Sequence, residues 1–297
     1  MTNQSGAVAS EMPFVSIVIA CFNADKTISE AISSVVLQSY SNLELVIVDG
    51  GSTDRTAEIV KSFNDERINF HSEPDNGIYD AWNKGVGRAK GEWILFIGAD
   101  DRLAKRDSLY QFLNCSETLK KMPGHNIIYS NLVALGSDGS PMDRIGADWK
   151  NPWSFTGKHI WCNFPIPIMA ALFRKSMLID IGGFNTKFRI IADIELVLRD
   201  AKHTSPVYVP AVDITAMGYG GVSTKPERAL RLLVESYTVR KIHKIGTFTN
   251  IGFLILSTKQ VIKYLVSRLC GGGTSEKMMT SFHNFKRLRM RLYGERE

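Results

Sequence analysis

The 297-residue sequence predicts an α/β fold, a doubly wound and mostly parallel Rossmann-like sheet with a helical extension at its C-terminal end. Short apolar runs rich in β-branched residues alternate with stretches whose apolar residues recur at helical spacing. The runs are apolar at nearly every position, as strands covered on both faces require. Three of them end in polar residues and glycines, at the edge where open α/β sheets bind ligands.

Residues 14–20 (FVSIVIA) form the first strand. A helix over 25–38 follows, with Ile28, Ala31, Ile32, Val35 and Val36 on one face. Residues 43–49 (LELVIVD) are a second buried strand, and a helix over about 53–63 starts at Ser52 and Asp54, residue types that favour helix starts. Strands over 68–71 and 93–97 flank a helix across 77–89. Between 105 and 225 the alternation is less regular: 136–141 (GSDGSP) reads as a turn between two strands, and a helix starts near Ile191. Two amphipathic helical stretches, 227–245 and 250–269, precede a glycine breaker at 271–273. The last segment is a basic amphipathic helix carrying Met278, Phe282, Phe285, Leu288 and Leu292 on one face. Residues 1–12 are expected to be disordered.

An apolar fraction of 44% suits a globular domain and excludes a disordered or collagen-like chain. Cys21, Cys115, Cys162 and Cys270 show no zinc-ligand spacing, which fits a reducing compartment. Residues 1–12 lack the basic start and apolar core of a secretory leader. Lys259, Lys263 and Arg268 interrupt the most apolar stretch, 251–269, so no spanning helix is expected. The net charge of +6 is unevenly spread: residues 225–297 carry 15 Lys+Arg against 5 Asp+Glu, the remainder 21 against 25. A nucleic-acid role lacks aromatics interleaved with the basic residues and any recognisable motif. An anionic membrane surface is the better partner for the tail. For 227–269, packing on the rest of the protein is an equal alternative.

The polar strand ends carry the chemistry. Ala20, Cys21, Phe22 and Asn23 close the first strand, and Asp49 closes the second before two glycines that let the backbone turn. Asp100 and Asp101 follow the run 93–97; two adjacent carboxylates repel unless a cation compensates. Mg²⁺ suits such a pair, because it takes few carboxylates and fills its shell with phosphate and water oxygens. The glycines at 85, 87 and 91 imitate a dinucleotide fingerprint, but they close a helix and precede a strand, the reverse of what that site needs.

Together these residues resemble family 2 glycosyltransferases. The resemblance rests on SIVIACFN at 16–23, SSVVLQSY at 33–40, VIVDGGSTDRT at 46–56, DNGIYDAWNKG at 75–85 and GEWILFIGADD at 91–101, in that order. NGIYDA is most similar to enzymes of bacterial capsule, exopolysaccharide and O-antigen assembly. The resemblance implies a GT-A fold, with a nucleotide-sugar-binding half over 13–104, an acceptor-binding half over 105–225 and an extension over 226–297. It implies that the backbone around Ala20, Cys21, Phe22 and Asn23 and the side chain of Asp49 hold the base. Asn76, Gly77 and Lys84 then lie beside the ribose or diphosphate, and Asp100 and Asp101 bind a divalent cation, Mn²⁺ or Mg²⁺. The family's Asp-x-Asp-Asp pattern here begins with Gly98, so the ligand falls to Asp100 or Asp101.

Asp193, in IADIEL at 191–196, resembles the family's catalytic base, and Glu195 two residues on cannot share its helical face. Ile168 in PIPIM stands where similar enzymes often carry His, and GGVS at 220–223 resembles a loop that closes over the donor. The implied activity is an inverting transfer from a nucleotide-sugar donor to a glycan or lipid-linked acceptor. It takes place in the cytoplasm, peripheral to the inner face of the cell membrane. UDP is the commonest family nucleotide, with GDP and dTDP open. The alternative is a catalytically silent nucleotide-sugar-binding scaffold at the membrane.

Overall fold

The computed structural model describes residues 12–136, 138–149, 164–218, 228–245 and 258. The chain divides into two compact units: Met1–Asn151 with Phe164–Tyr219, and Pro152–Asn163 with Gly220–Glu297.

In the first unit the order is β1 (Val15–Cys21), α1 (Ile28–Val36), β2 (Leu43–Asp49), α2 (Thr56–Ser62), β3 (Ile68–Ser72), α3 (Ile78–Arg88), β4 (Trp93–Gly98) and β5 (Asp101–Leu103). Then come α4 (Ser108–Leu113), α5 (Ser116–Lys121), β6 (Ile127–Leu135), β7 (Pro141–Ile145), β8 (Ala171–Arg174), α6 (Lys175–Asp180), α7 (Ala192–Asp200) and β9 (Val207–Met217). All nine strands join one sheet in the order β3-β2-β1-β4-β8-β6-β9-β5, with β7 beside β6. β1 pairs in parallel with β2 and β4, and β2 with β3. β4 meets β8, and β8 meets β6, in antiparallel fashion, while β6 and β9 run parallel. The doubly wound α/β expectation holds, with its parallel character concentrated in the first four strands.

Every residue of β1, β2 and β4 is buried. On one face Ile17, Ile19, Leu45, Ile47, Leu95 and Ile97 pack with Ile28, Ile32 and Val35 of α1, Val60 of α2 and Phe112 of α4. Each such side chain contributes roughly 1.5–3 kcal/mol on burial. On the other face α3 lies directly on β1: a Cβ at Gly85 would collide with Val18 Cγ1. Trp82 of α3 there packs on Phe96 of β4, with ring centroids 5.0 Å apart. Gly85, part of the false dinucleotide pattern, is thus a close-packing glycine at the helix–sheet contact.

The predicted helix at 53–63 starts later, at Thr56. Asp54 Oδ1 accepts from Thr56 N (3.0 Å) and Thr56 Oγ1 (2.6 Å), and its Oδ2 from Asp25 N (3.1 Å). These bonds hold 53–55 as a turn that competes with helix. The 136–141 turn joins β6 to β7 as expected. β5 and β8 were too short to read from periodicity. β9 contains Pro210, which lies where its register with β6 shifts, between Tyr129↔Tyr208 and Asn131↔Asp213. A proline in a run of this kind argues against a strand from sequence alone.

In the second unit the described helix is α8 (Ala229–Ile242). It forms within the expected 227–245, but Ala229, Glu235, Ser236, Val239 and Arg240 are buried while Leu230, Val234, Tyr237 and Ile242 are exposed. Periodicity marks a helix but not which of its sides is covered. The expected disorder of 1–12 (save for residue 12), the 220–223 loop and the helices after 250 lie outside the described residues, apart from residue 258. Among the described residues no helix is long and apolar enough to cross a membrane.

Candidate active site

Register aligns the ends of the parallel strands. Cys21 stands opposite Asp49, Asp49 opposite Ser72, and Ala20 opposite Gly98. The expected donor residues of β1, β2 and β4 therefore share one edge of the sheet.

Asp49 is fully buried and its carboxylate is filled by protein donors. Oδ2 accepts from Ser52 N (3.0 Å) and Ser72 Oγ (2.6 Å); Oδ1 accepts from Ser52 Oγ and, weakly, from Cys21 Sγ at 3.7 Å. A carboxylate offers about four acceptor sites, so a ligand reaching Asp49 must displace one of these donors. Burial and then the nearby Asp49 push the Cys21 thiol far above its ordinary range, which keeps it protonated and able to donate. Asn23, at φ +50°, donates its N–H to Ser52 Oγ (2.8 Å) and accepts from Thr53 N (2.9 Å), so the turns after β1 and β2 are laced together. Phe22 projects from this lacing with 62% of its surface exposed.

The loop before α3 reaches the same turn. A Cβ on Gly50 would stand 2.5 Å from Asp75 Oδ2, and Asp75 Oδ1 accepts from Gly77 N at 2.7 Å. Gly77 has φ +106°, a conformation that favours glycine. Asn76 and Gly77 are exposed. Lys84 is engaged within the protein: its Nζ donates to Pro74 O (2.7 Å) and lies 3.7 Å from Asp80 and 3.9 Å from Glu73. It braces the loop that carries Asn76.

Asp100 is exposed and Asp101 buried. Asp101 Oδ1 accepts from Gly218 N (3.1 Å) and Oδ2 from Gly98 N (3.3 Å). A Cβ on Gly98 would lie 2.5 Å from Asp101 Oδ2 and 2.8 Å from Asp100 Oδ1, so both carboxylates converge over the missing side chain. Burial, and then the charge of Asp100, push Asp101 up to about 7. Two converging carboxylates, one desolvated, suit a divalent cation that would relieve their repulsion. Among the described residues no three His, Cys, Asp or Glu gather to hold a metal alone. A cation here would complete its shell from phosphate and water, as Mg²⁺ and its like do.

Asp193, the expected base, is the second residue of α7 and half-buried. Its Oδ1 accepts from Ile194 N (2.9 Å) and lies 3.1 Å from Tyr79 Oη. Glu195 is buried and paired with Arg199 Nε at 2.9 Å, so the two acids take different surroundings, as their spacing requires. Ile168 is a core residue. The 189–193 segment borders the loop before α3: Arg189 Nη1 lies 3.1 Å from where a Gly77 Cβ would stand.

Sequence reasoning passed over Ser72, Tyr79, Asn83 and Arg189, and read Ser52 as a helix start. Tyr79 and Asn83 lie inside the motif read for Asn76, Gly77 and Lys84, and an aromatic at the start of a half-buried helix was the available signal. Ser72 offered none.

A family model described as "Glycosyl transferase family 2" matches residues 16–134. The chain is 31% identical over 219 residues to a "PGL/p-HBAD biosynthesis glycosyltransferase" of Mycobacterium tuberculosis, covering 71% of this chain and 79% of that protein. The mannosyltransferase PcManGT of Pyrobaculum calidifontis, solved with GDP-Man and Mn²⁺, is similar in fold: TM-score 0.59 at 18% identity, covering 96% of this chain and 82% of that one. S. aureus TarS 1-349 in complex with UDP-GlcNAc gives 0.58 at 16% identity, covering 86% and 73%.

Proposed function

The chain belongs to glycosyl transferase family 2, has its GT-A fold and is a glycosyltransferase; from that premise we propose an inverting transfer from a nucleotide-diphosphate sugar, with UDP as nucleotide, to a hydroxyl of a glycan or lipid-linked acceptor in bacterial surface polysaccharide assembly. The observation that supports this best is that Asp193 is tied by Tyr79 to α3, the helix that follows Asn76 and Gly77, while Asp49 ends β2 and Asp100 and Asp101 follow β4, one strand away across β1 in the same sheet.

Phe22 offers an exposed ring for the base to stack on, bordered by the backbone of Ala20, Cys21 and Asn23. Asp49 shapes that floor through Ser52 and Ser72. Asn76 and Gly77 line the path of the ribose and diphosphate, on a loop braced by Lys84. Asp100 from the exposed side and Asp101 from the buried side would hold Mn²⁺ or Mg²⁺. Such a cation, when bound, neutralises charge developing on the departing diphosphate. Asp193 takes the proton of the acceptor hydroxyl: that O–H bond breaks and a carboxyl O–H forms as the oxygen attacks the anomeric carbon opposite the diphosphate. Attack from that side inverts the centre. The basic C-terminal residues set the enzyme against an anionic leaflet, where a lipid-linked acceptor would reside.

Calorimetric titration with UDP, GDP and dTDP, each with and without Mn²⁺, tests the donor site. Metal-dependent binding of UDP is expected; no binding of any of the three overturns the reading. Asp193→Asn is expected to abolish transfer and leave nucleotide affinity unchanged, and wild-type turnover would remove Asp193 as the base.

A further inference from the structure

We propose that Tyr79 is a positioning residue for Asp193, a role that rests on the reading of Asp193 as the base. Tyr79 is the second residue of α3 and Asp193 the second of α7. The Tyr79 hydroxyl stands 2.7 Å from Ile190 O and 3.1 Å from Asp193 Oδ1. Its one hydrogen is shared between these two acceptors, with the carbonyl the nearer, so the hydroxyl sits between the backbone entering α7 and the carboxylate in its first turn.

The arm that carries this hydroxyl is rigid. Tyr79 is 7% exposed, and its ring packs edge-on to Trp82 (5.7 Å) and tilted on Phe184 (5.4 Å). One turn further along α3, Asn83 Nδ2 donates to Phe184 O and Asn83 Oδ1 accepts from Phe184 N, both at 2.8 Å. These two bonds seat the chain leading to α7 on the same helix. α3 therefore begins just after Gly77 and holds both the approach to Asp193 and its carboxylate. Aiming a base within a few tenths of an ångström matters because misplacement by about 1 Å can lower rate on the order of 100-fold.

The test compares Tyr79→Phe and Asp193→Asn in the full chain. Turnover is read as nucleoside diphosphate release from UDP-GlcNAc and from GDP-mannose with water as acceptor. Hydrogen exchange of the Ile194 amide, which Asp193 Oδ1 accepts at 2.9 Å, is read without substrate. Tyr79→Phe is expected to lower kcat by up to about 100-fold with KM unchanged and to speed Ile194 exchange severalfold. A lowered kcat with unchanged Ile194 exchange in Tyr79→Phe would show Tyr79 acting independently of Asp193 and overturn the proposal. So would wild-type kcat with unchanged Ile194 exchange in Tyr79→Phe while Asp193→Asn is inactive, and in that case the base reading stands. Full turnover by Asp193→Asn overturns the base reading itself and the role of Tyr79 with it.

Discussion

Asp101 and Gly218 lie 117 residues apart in the chain, yet the Asp101 carboxylate accepts the Gly218 N–H at 3.1 Å where β5 pairs with the end of β9. The same side chain accepts from Gly98 N, so one buried acid ties the end of β4 to the end of β9. Removing the acceptor with Asp101→Ala leaves two backbone donors behind, and unsatisfied buried groups cost about 1–3 kcal/mol each. Chemical denaturation should show a loss of that order for Asp101→Ala and a smaller one for Asp101→Asn, which keeps a carbonyl oxygen. Equal stability of the two variants would count against the tether.

Asp49 should behave as a structural acid as much as a binding one. Asp49→Ala strands the donors of Ser52, Ser72 and Cys21 and is expected to lower unfolding free energy by at least about 2 kcal/mol. Nucleotide affinity should fall with it, because the turn after β2 loses its anchor. Urea melts and calorimetry on the same sample separate the two effects; weakened binding with full stability would assign Asp49 to the ligand alone.

Phe22 makes the opposite prediction. Its ring is largely outside the fold, so Phe22→Ala should leave the melting temperature unchanged. Base–aromatic stacking contributes about 1–3 kcal/mol, so UDP affinity should drop roughly 5- to 150-fold. Unchanged affinity in a calorimetric titration would move the base elsewhere.

The basic tail predicts salt-sensitive attachment. Deleting residues 274–297 removes Lys277, Lys286, Arg287, Arg289, Arg291 and Arg296. Each is worth on the order of 1 kcal/mol near an anionic leaflet. The full chain should float with phosphatidylglycerol vesicles at low salt and the deletion should not. Equal flotation of both would end the anchoring idea.

Much of the first half was legible because its periodicity is unmixed: residues 43–49 read as a strand ending in Asp49, and β2 has those bounds. Asp49, Asp100, Asp101 and Asp193 stood out as acids at the ends of apolar runs or the start of a helix. The bonds that give them their settings were not legible, because they cross the chain: Tyr79 reaches Asp193 over 114 residues, and Ser72 reaches Asp49 over 23. Lys84 shows the converse. The resemblance implied that Lys84 lies beside the ribose or diphosphate, and only the fold reveals the Pro74 carbonyl and the two carboxylates around it. Elsewhere, Pro210 and the shortness of β5 and β8 hid strands that long-range pairing supplies.

The sheet's order has a consequence during synthesis. β4 is a wholly apolar strand whose second edge is closed by Arg174, Phe173 and Leu172 of β8. A nascent chain therefore carries Trp93–Gly98 with one bare edge until Ala171–Arg174 has left the ribosome. Any fragment ending between these strands exposes a template for pairing with its own copies, an aggregation hazard that β8 removes.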